Sequence, residues 1–170
     1  NKFNGRLPSN SEKLRSLPGV GRYTAGAIAS IAFGLPEAVV DGNVKRVLAR
    51  LLNIQVDVAE QQVEEASWKH ARQLLPNDRC GDFNQAMMEL GATVCLPRRE
   101  ARCTSCPISS HCQARVSGTV HSLPFKSSKL RIEHETHVVT AISRKDHWLF
   151  VRRPQDGLWG GLWELPSVVL

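Results

Sequence analysis

Four cysteines fall within eighteen positions of this chain: Cys95, Cys103, Cys106 and Cys112, spaced C-x7-C-x2-C-x5-C. No other feature narrows the fold so far. Four thiolates at this density suit either a tetrahedral zinc ion or a 4Fe–4S cluster, and the spacing alone leaves both open. A fifth cysteine, Cys80, stands outside the pattern and is expected to be a free thiol. An odd count with four members crowded together argues against the disulfide framework of a secreted domain. It favours ligation in a reducing compartment.

The charge is concentrated in the same place. Of 170 residues, 22 are Lys or Arg and 16 are Asp or Glu, a net +6. Between Cys95 and Arg131, seven bases (Arg98, Arg99, Arg102, Arg115, Lys126, Lys129 and Arg131) face one acid, Glu100. That surplus equals the net charge of the whole chain. A solvated basic loop accounts for it without a function; a cysteine-pinned finger held against phosphates accounts for it with one. The hydrophobic content of 42% supports a core. No apolar run reaches the ~20 residues of a bilayer span, and no secretory signal is present. No membrane partner is expected, and the expected location is intracellular: a bacterial cytoplasm, or a nucleus or mitochondrion. The chain begins at Asn1 in polar sequence and stops at Leu170 in an apolar run, so a piece of a longer protein is expected.

Residues 1–115 read as mainly helical. Ser9, Asn10 or Ser11 caps a short helix carrying Leu14 and Leu17. After the turn Leu17-Pro18-Gly19-Val20-Gly21, a second helix runs from about Arg22 to Phe33 and is ended by Gly34 and Pro36. Asp41 is placed to cap a third, from about Gly42 to Leu52, with Val44, Val47, Leu48 and Leu51 on one face. A fourth spans about Val58 to Leu75. A fifth spans about Asp82 to Val94, with Phe83, Ala86, Met87 and Leu90 inward. Residues 116–131 form a basic, Ser-containing linker. From 132 to 170 the pattern turns strand-like, in Val138–Ile142, Trp148–Val151 and Leu162–Leu165.

The turn admits two readings. Glycines at alternate positions permit positive φ and strip away side-chain bulk, which suits any tight turn between helices. They also expose backbone N–H groups at the start of the second helix, where the dipole is positive. Gly19, Val20, Gly21 and Arg22 are therefore candidate phosphate contacts, of the kind that position DNA without reading its sequence.

Gly19-Val20-Gly21-Arg22-Tyr23-Thr24-Ala25, followed by Val40-Asp41-Gly42-Asn43-Val44, resembles the helix–hairpin–helix glycosylase superfamily, and within it the MutY-type adenine DNA glycosylases. Locally, Asp41 reads as a helix cap. The resemblance implies a catalytic role as well: the matching Asp stabilises the charge that grows on the sugar as the base leaves. Tyr23 stands where endonuclease III-like relatives carry the Lys that forms a Schiff base. A tyrosine forms none, so the resemblance implies a monofunctional glycosylase with little lyase activity. Simple packing under the hairpin is the plainer account of Tyr23. Both Tyr23 and Asn43 match active-site residues of the family. The family's second carboxylate, a Glu that protonates the adenine, lies upstream of the hairpin; Glu12 and Glu37 do not fit its place. The chain alone is thus expected to lack full activity.

The resemblance also implies a 4Fe–4S cluster on Cys95, Cys103, Cys106 and Cys112. The family loop is C-x6-C-x2-C-x5-C, after a helix similar to Phe83-Asn84-Gln85-Ala86-Met87-Met88-Glu89-Leu90-Gly91. The first gap here holds one extra residue, which puts the shape of the Cys95–Cys103 loop in question. Arg98, Arg99 and Arg102 lie in that loop as candidate phosphate contacts. Gly157-Leu158-Trp159-Gly160-Gly161-Leu162-Trp163-Glu164-Leu165-Pro166 resembles the start of the family's MutT-like (Nudix-fold) α/β domain; a packed β-hairpin is the plainer account.

The expected architecture is therefore a mainly α helix–hairpin–helix glycosylase domain (1–115) with an iron–sulfur loop (95–112). A basic linker (116–131) and the start of a MutT-like domain (132–170) follow. The implied partner is double-stranded DNA holding adenine opposite 8-oxoguanine or guanine, and the expected state is a monomer. Two other functions stay open: a non-catalytic DNA-binding cluster module, and an endonuclease III-like glycosylase/lyase.

Overall fold

Asp41 starts the helix around which the larger part of the molecule is built. The computed structural model describes residues 3–97, 100–127 and 134–170. The chain divides into two units, Asn1–Ser128 and Lys129–Leu170.

In the first unit the hairpin joins α1 (Ser11–Arg15) to α2 (Arg22–Ala27). Asn10 is the cap of α1, its side chain accepting from Lys13 N at 3.0 Å. The helix is only five residues long, and Leu17 falls beyond it. Its one buried residue, Leu14, packs with Ala25 and Ala29 across the hairpin. Where a single α-helix to Phe33 was expected, α2 widens into a π-helical turn over Ile28–Ala32. Within it, Ser30 Oγ donates to the Gly26 carbonyl at 2.8 Å. Such back-bonding loosens the helical ladder, and π turns arise where it does.

Helix α3 (Gly42–Leu51) is central, with Val44, Val47, Leu48, Ala49 and Arg50 all buried. Two helices flank it, α4 (Gln61–Leu74) and α5 (Cys80–Thr93). Val44 and Leu48 meet Ala38, Val40, Trp68 and Ala71 in the main core. Leu48 is fully enclosed. Truncating it to Ala is expected to cost about 2–5 kcal/mol, the range for a buried Leu whose cavity cannot collapse.

Helix α5 keeps part of its expected face, with Phe83, Met87 and Leu90 half-buried and Met87 against the main core. Ala86 is exposed, while the buried positions are Cys80, Gly81, Asn84 and Gly91. The reason is close approach. A Cβ on Gly81 would lie 2.6 Å from the Ser30 carbonyl oxygen, and one on Gly91 would lie 2.6 Å from Asn43 Cβ. Only glycine lets the two backbones meet so tightly. Asn84 fills the space between, its Nδ2 donating to Ser30 Oγ at 2.9 Å and to the Glu37 carbonyl at 2.8 Å. Cys80 is buried, its thiol directed at the Leu35 carbonyl at 3.0 Å.

After α5 the cysteine segment coils through 3-10 turns at Cys103–Ser105 and Ser109–His111 into α6 (Gln113–Val116). Ala114, Val120 and Leu123 form its own small core, with Ala101, Cys103 and Cys112 packed against it. The chain then runs back to the loop before α4. Val58 N donates to the Phe125 carbonyl at 3.1 Å, and Asp57 accepts from Ser127 N at 2.7 Å and from the Ser127 hydroxyl.

Among the described residues, the second unit has six short strands: β1 (His137–Val139), β2 (Ser143–Arg144), β3 (His147–Trp148), β4 (Val151–Arg152), β5 (Trp163–Glu164) and β6 (Ser167–Val169). They pair antiparallel as β1–β6, β2–β3 and β4–β5. The strand runs expected from sequence are thus shorter and more broken. The Trp-rich stretch is also not a packed hairpin core: Trp159 and Trp163 are about two-thirds exposed, at 65% and 67%. Arg153 stabilises this part, pairing with Glu164 and lying 5.8 Å from the Trp159 ring centroid.

Candidate active site and cysteine centre

The hairpin is open to solvent on its glycine side. Gly19 has φ +78°, a conformation that disfavours any side chain. Gly21 is the N-cap of α2 and offers no side chain to the first-turn N–H groups. Among the described residues, no heavy atom beyond the immediate chain neighbours lies within 4 Å of where a Cβ on either glycine would stand. Backbone donors on Arg22 and its neighbours are therefore reachable by an anion. The Arg22 side chain, however, is occupied elsewhere. Its guanidinium pairs with Glu65 at 3.3 Å and lies over Trp68, 4.0 Å from the ring centroid. Trp68 Nε1 in turn donates to Glu64 at 2.9 Å. Burial pushes the Glu64 carboxyl up, but hydrogen bonds from Lys45 and Trp68 outweigh it and hold the group below its ordinary value.

Asp41 is anchored at both carboxylate oxygens. Oδ1 accepts from Val44 N at 2.7 Å, which makes Asp41 the N-cap of α3. Oδ2 accepts from Asn43 Nδ2 at 3.0 Å. Asn43 is held in turn: its Oδ1 accepts from Arg46 Nη2 at 2.9 Å. Arg46 also donates to the Gly91 carbonyl at 2.7 Å and, through Nε, to the Cys95 carbonyl at 2.7 Å. This chain of contacts joins Asp41, Asn43 and the entry to the cysteine segment. Tyr23 belongs to the same neighbourhood through α5. Its hydroxyl lies 3.6 Å from Met88 Sδ, one turn before the Gly91 that seats Asn43. Tyr23 is 41% exposed, so its ring is not simply buried under the hairpin.

All four cysteines of the cluster pattern border one cavity of about 30 Å³, together with Arg50, Arg102 and Arg115. None is in a disulfide. Burial pushes the Cys106 thiol up, the Ile108 backbone opposes this, and the Cys95, Cys112 and Cys103 thiols push it further. Among the described residues, no three of His, Cys, Asp or Glu are gathered tightly enough to bind a single metal ion. Arg102 is exposed at the start of the first 3-10 turn. Arg98 and Arg99 lie outside the described residues.

Arg46 and Arg50 escaped the sequence reading, and Met88 and Gly91 entered it only as part of the helix before the cysteine loop. The signal for the arginines was their i, i+4 spacing on a helix whose other face is apolar. The signal for Gly91 was a glycine inside a helical run, which without a close neighbour only weakens the helix.

A family model described as the helix-hairpin-helix motif matches residues 2–31, spanning α1, the hairpin and α2. The chain is 42% identical to the adenine DNA glycosylase of Arabidopsis thaliana over 96% of its length, and 39% identical to that of Homo sapiens over 98%. It is 32% identical to the adenine DNA glycosylase of Buchnera aphidicola subsp. Baizongia pistaciae (strain Bp) over 99%. It spans 28%, 39% and 47% of those proteins, so from about a quarter to about half of their length. Among solved structures, a thermostable thymine-DNA glycosylase matches with TM-score 0.58 and 34% identity, over 68% of this chain and 52% of that one. Endonuclease III in a non-covalent complex with DNA matches with TM-score 0.55 and 32% identity, over 69% of this chain and 52% of that one. The fold is that of the helix–hairpin–helix glycosylases, and with identity of this depth along nearly its whole length the chain belongs to the adenine DNA glycosylase family.

Proposed function

We propose that this chain carries the hairpin, the aspartate and the cysteine centre of a monofunctional adenine DNA glycosylase of base-excision repair. Its substrate is duplex DNA with adenine opposite 8-oxoguanine or guanine. The observation that carries the reading is the double anchoring of Asp41. A carboxylate fixed at both oxygens does not have to reorganise when positive charge develops on the sugar, and such preorganisation is a large part of catalysis. Hydrolysis requires the adenine out of the stack, extruded into a pocket. Backbone N–H groups at Gly19–Arg22 hold a phosphate of the flipped strand, and Arg98, Arg99 and Arg102 add charge to a second stretch of backbone. Tyr23 has no amine with which to attack the sugar, so the reaction ends at an abasic site.

The cysteine residues fit a 4Fe–4S cluster. All four border one cavity. Four thiolates placed around one cavity suit a multi-atom cluster, which takes a sulfur at each iron. Cys95, just past α5, and Cys112, just before α6, would hold it together with Cys103 and Cys106, and the group would supply a cross-link between the ends of the basic loop. Residues 132–170 we read as the start of a MutT-like domain reached through the basic linker 116–131. The boundary at Ser128–Lys129 and the antiparallel pairing of the strands support this.

The test uses the full-length protein and a duplex with one adenine opposite 8-oxoguanine. Adenine release without strand scission, and no borohydride-trapped adduct, is expected. Efficient trapping would mean a lyase. Absence of release with intact DNA binding would leave a binding module. Metal analysis on anaerobically purified protein should give about four irons per chain; a single zinc would remove the cluster.

A further inference from the structure

We propose that Arg50 is the cluster's own hydrogen-bonding and charge-balancing partner, placed on α3 to hold the two ends of the cysteine loop and to set the cluster's potential. The inference rests on the iron–sulfur reading above and adds a role for a residue outside the ligand set. Arg50 is the largest fully buried side chain of the described residues, with 1% exposure. Burying a guanidinium is costly unless its donors are satisfied and its charge is met. Nε donates to the Leu123 carbonyl at 3.0 Å and Nη1 to the Leu96 carbonyl at 2.7 Å. Leu96 follows the first cysteine of the loop, and Leu123 lies on the returning chain beyond the last. Nη1 also reaches Cys95 Sγ at 3.3 Å.

The sulfur contact decides the matter. A thiol sulfur is a weak acceptor, whereas a thiolate is an anion and accepts strongly from a guanidinium. The Arg50–Cys95 contact therefore strengthens when Cys95 becomes a ligand. At the other end of the loop, Cys112 Sγ lies 3.5 Å from the Arg50 carbonyl, where it can donate only while protonated. One residue of α3 thus holds the first and last cysteines of the set before ligation, and keeps the first after it. Four thiolates bring four negative charges into a half-buried cavity, more than the iron–sulfide core neutralises. A buried permanent cation on its wall offsets the excess. Hydrogen bonds to the sulfurs and local charge are the terms that raise such a potential. Arg102 and Arg115 line the same cavity but are exposed, so solvent screens them.

The test compares the full-length, cluster-loaded protein with Arg50→Lys and Arg115→Met. Lysine keeps the charge but cannot serve both carbonyls and the sulfur at once. Arg50→Lys should shift the cluster midpoint potential to more negative values and speed cluster loss to an iron chelator; Arg115→Met should do neither. A folded, iron-loaded Arg50→Lys with unchanged potential overturns the proposal and leaves the cluster reading intact. Zinc in place of iron overturns both. Should Arg50→Lys fail to fold, the unaltered protein answers: with 15N-labelled arginine and the cluster brought to its paramagnetic 3+ state by a chemical oxidant, pulsed EPR should show a nitrogen coupling that survives in Arg115→Met. Its absence overturns the proposal without any Arg50 variant.

Discussion

Gly91→Ala separates the geometry of Asp41 from the stability of the fold. The new Cβ would stand 2.6 Å from Asn43 Cβ and 3.0 Å from both Asn43 C and Cα. Carbon atoms in contact settle at about 3.5–4.0 Å. Either α5 or the first turn of α3 must therefore retreat by roughly 1 Å. None of the three atoms belongs to a flexible side-chain end, so rotation gives no relief. The retreat strains a set of contacts at once: Arg46 to the Gly91 carbonyl at 2.7 Å, Arg46 to Asn43 at 2.9 Å, and Asn43 to Asp41 at 3.0 Å. Overpacking of this kind costs about 1–3 kcal/mol. The gain in helix propensity from Gly to Ala returns about 1 kcal/mol, so the net loss of stability is between about zero and 2 kcal/mol. The chemistry is less forgiving, since a misplacement of about 1 Å can cost on the order of 100-fold in rate.

The assay is single-turnover adenine release by the full-length protein, alongside urea unfolding and a DNA-binding titration. The variant should remain folded and bind duplex with near-normal affinity while releasing adenine about 100-fold more slowly. A rate within threefold of the parent in a folded variant would refute the reasoning. It would mean that α3 and α5 part freely, or that Asp41 does not need Asn43 where it stands.

Asp41→Asn should abolish excision, by at least about 100-fold as for other preorganised groups once removed, yet keep the helix, because Asn caps as well as Asp; equal activity in a single-turnover assay would deny the carboxylate its role. Arg98→Ala with Arg99→Ala should flatten the slope of log affinity against log salt by about 1.8, near 0.9 for each phosphate left without its arginine; an unchanged slope removes the basic finger. Cys106→Ser should lower bound iron and DNA affinity together, measured by metal analysis and titration of one preparation; full affinity without iron would make the cluster irrelevant to binding. The Ser127 hydroxyl, with backbone donors of Ala59 and Ser127, holds the Asp57 carboxyl below its ordinary value of 3.8. That stabilisation is full above the ordinary value and is lost as pH falls through the lower folded one, so Asp57→Asn should flatten the acid limb of Tm against pH below about pH 4. Identical limbs in parent and variant would deny the Asp57–Ser127 tie.

Some of this molecule was legible in its sequence because the signals are local. Asp41 as a cap needs only the residues that follow it, and α3 ends at Leu51 against an expected Leu52. Gly19 declares a turn because few other residues tolerate its φ of +78°. What stayed hidden depends on partners far along the chain. Arg22, expected at a phosphate, is held by Glu65 and Trp68, more than forty residues away. The face of α5 was read only in part, because periodicity counts apolar side chains, whereas this helix also buries its smallest residues, Gly81 and Gly91, where backbones nearly touch. The π turn at Ile28–Ala32 was hidden in the same way, since its Ser30 meets Asn84 from a distant helix.

Arg46 and Arg50 show why charge misleads most in a central helix. A pattern reading assigns every arginine to solvent, because transferring an ion inward is unfavourable in isolation. In α3 the inward arginines sit where the neighbouring chain leaves carbonyls without regular partners: Gly91 and Cys95 at the end of α5, Leu96 beyond it, and Leu123 on the return. An irregular, cysteine-rich segment has no ladder of its own to satisfy those groups, and an aliphatic residue in place of either arginine would leave them buried and unpaired. The guanidinium fork answers several at once, which a lysine cannot do. The same helix thereby carries Asp41 at its first turn and the cysteine loop at its last, about 14 Å apart at 1.5 Å per residue. Arg46 stands between them, donating to Asn43 on one side and to the Cys95 carbonyl on the other. Under the proposed function, loss of the cysteine centre should act on excision through Arg46 and the seat of Asn43, and so appear as a change in rate without a change in the chemistry catalysed.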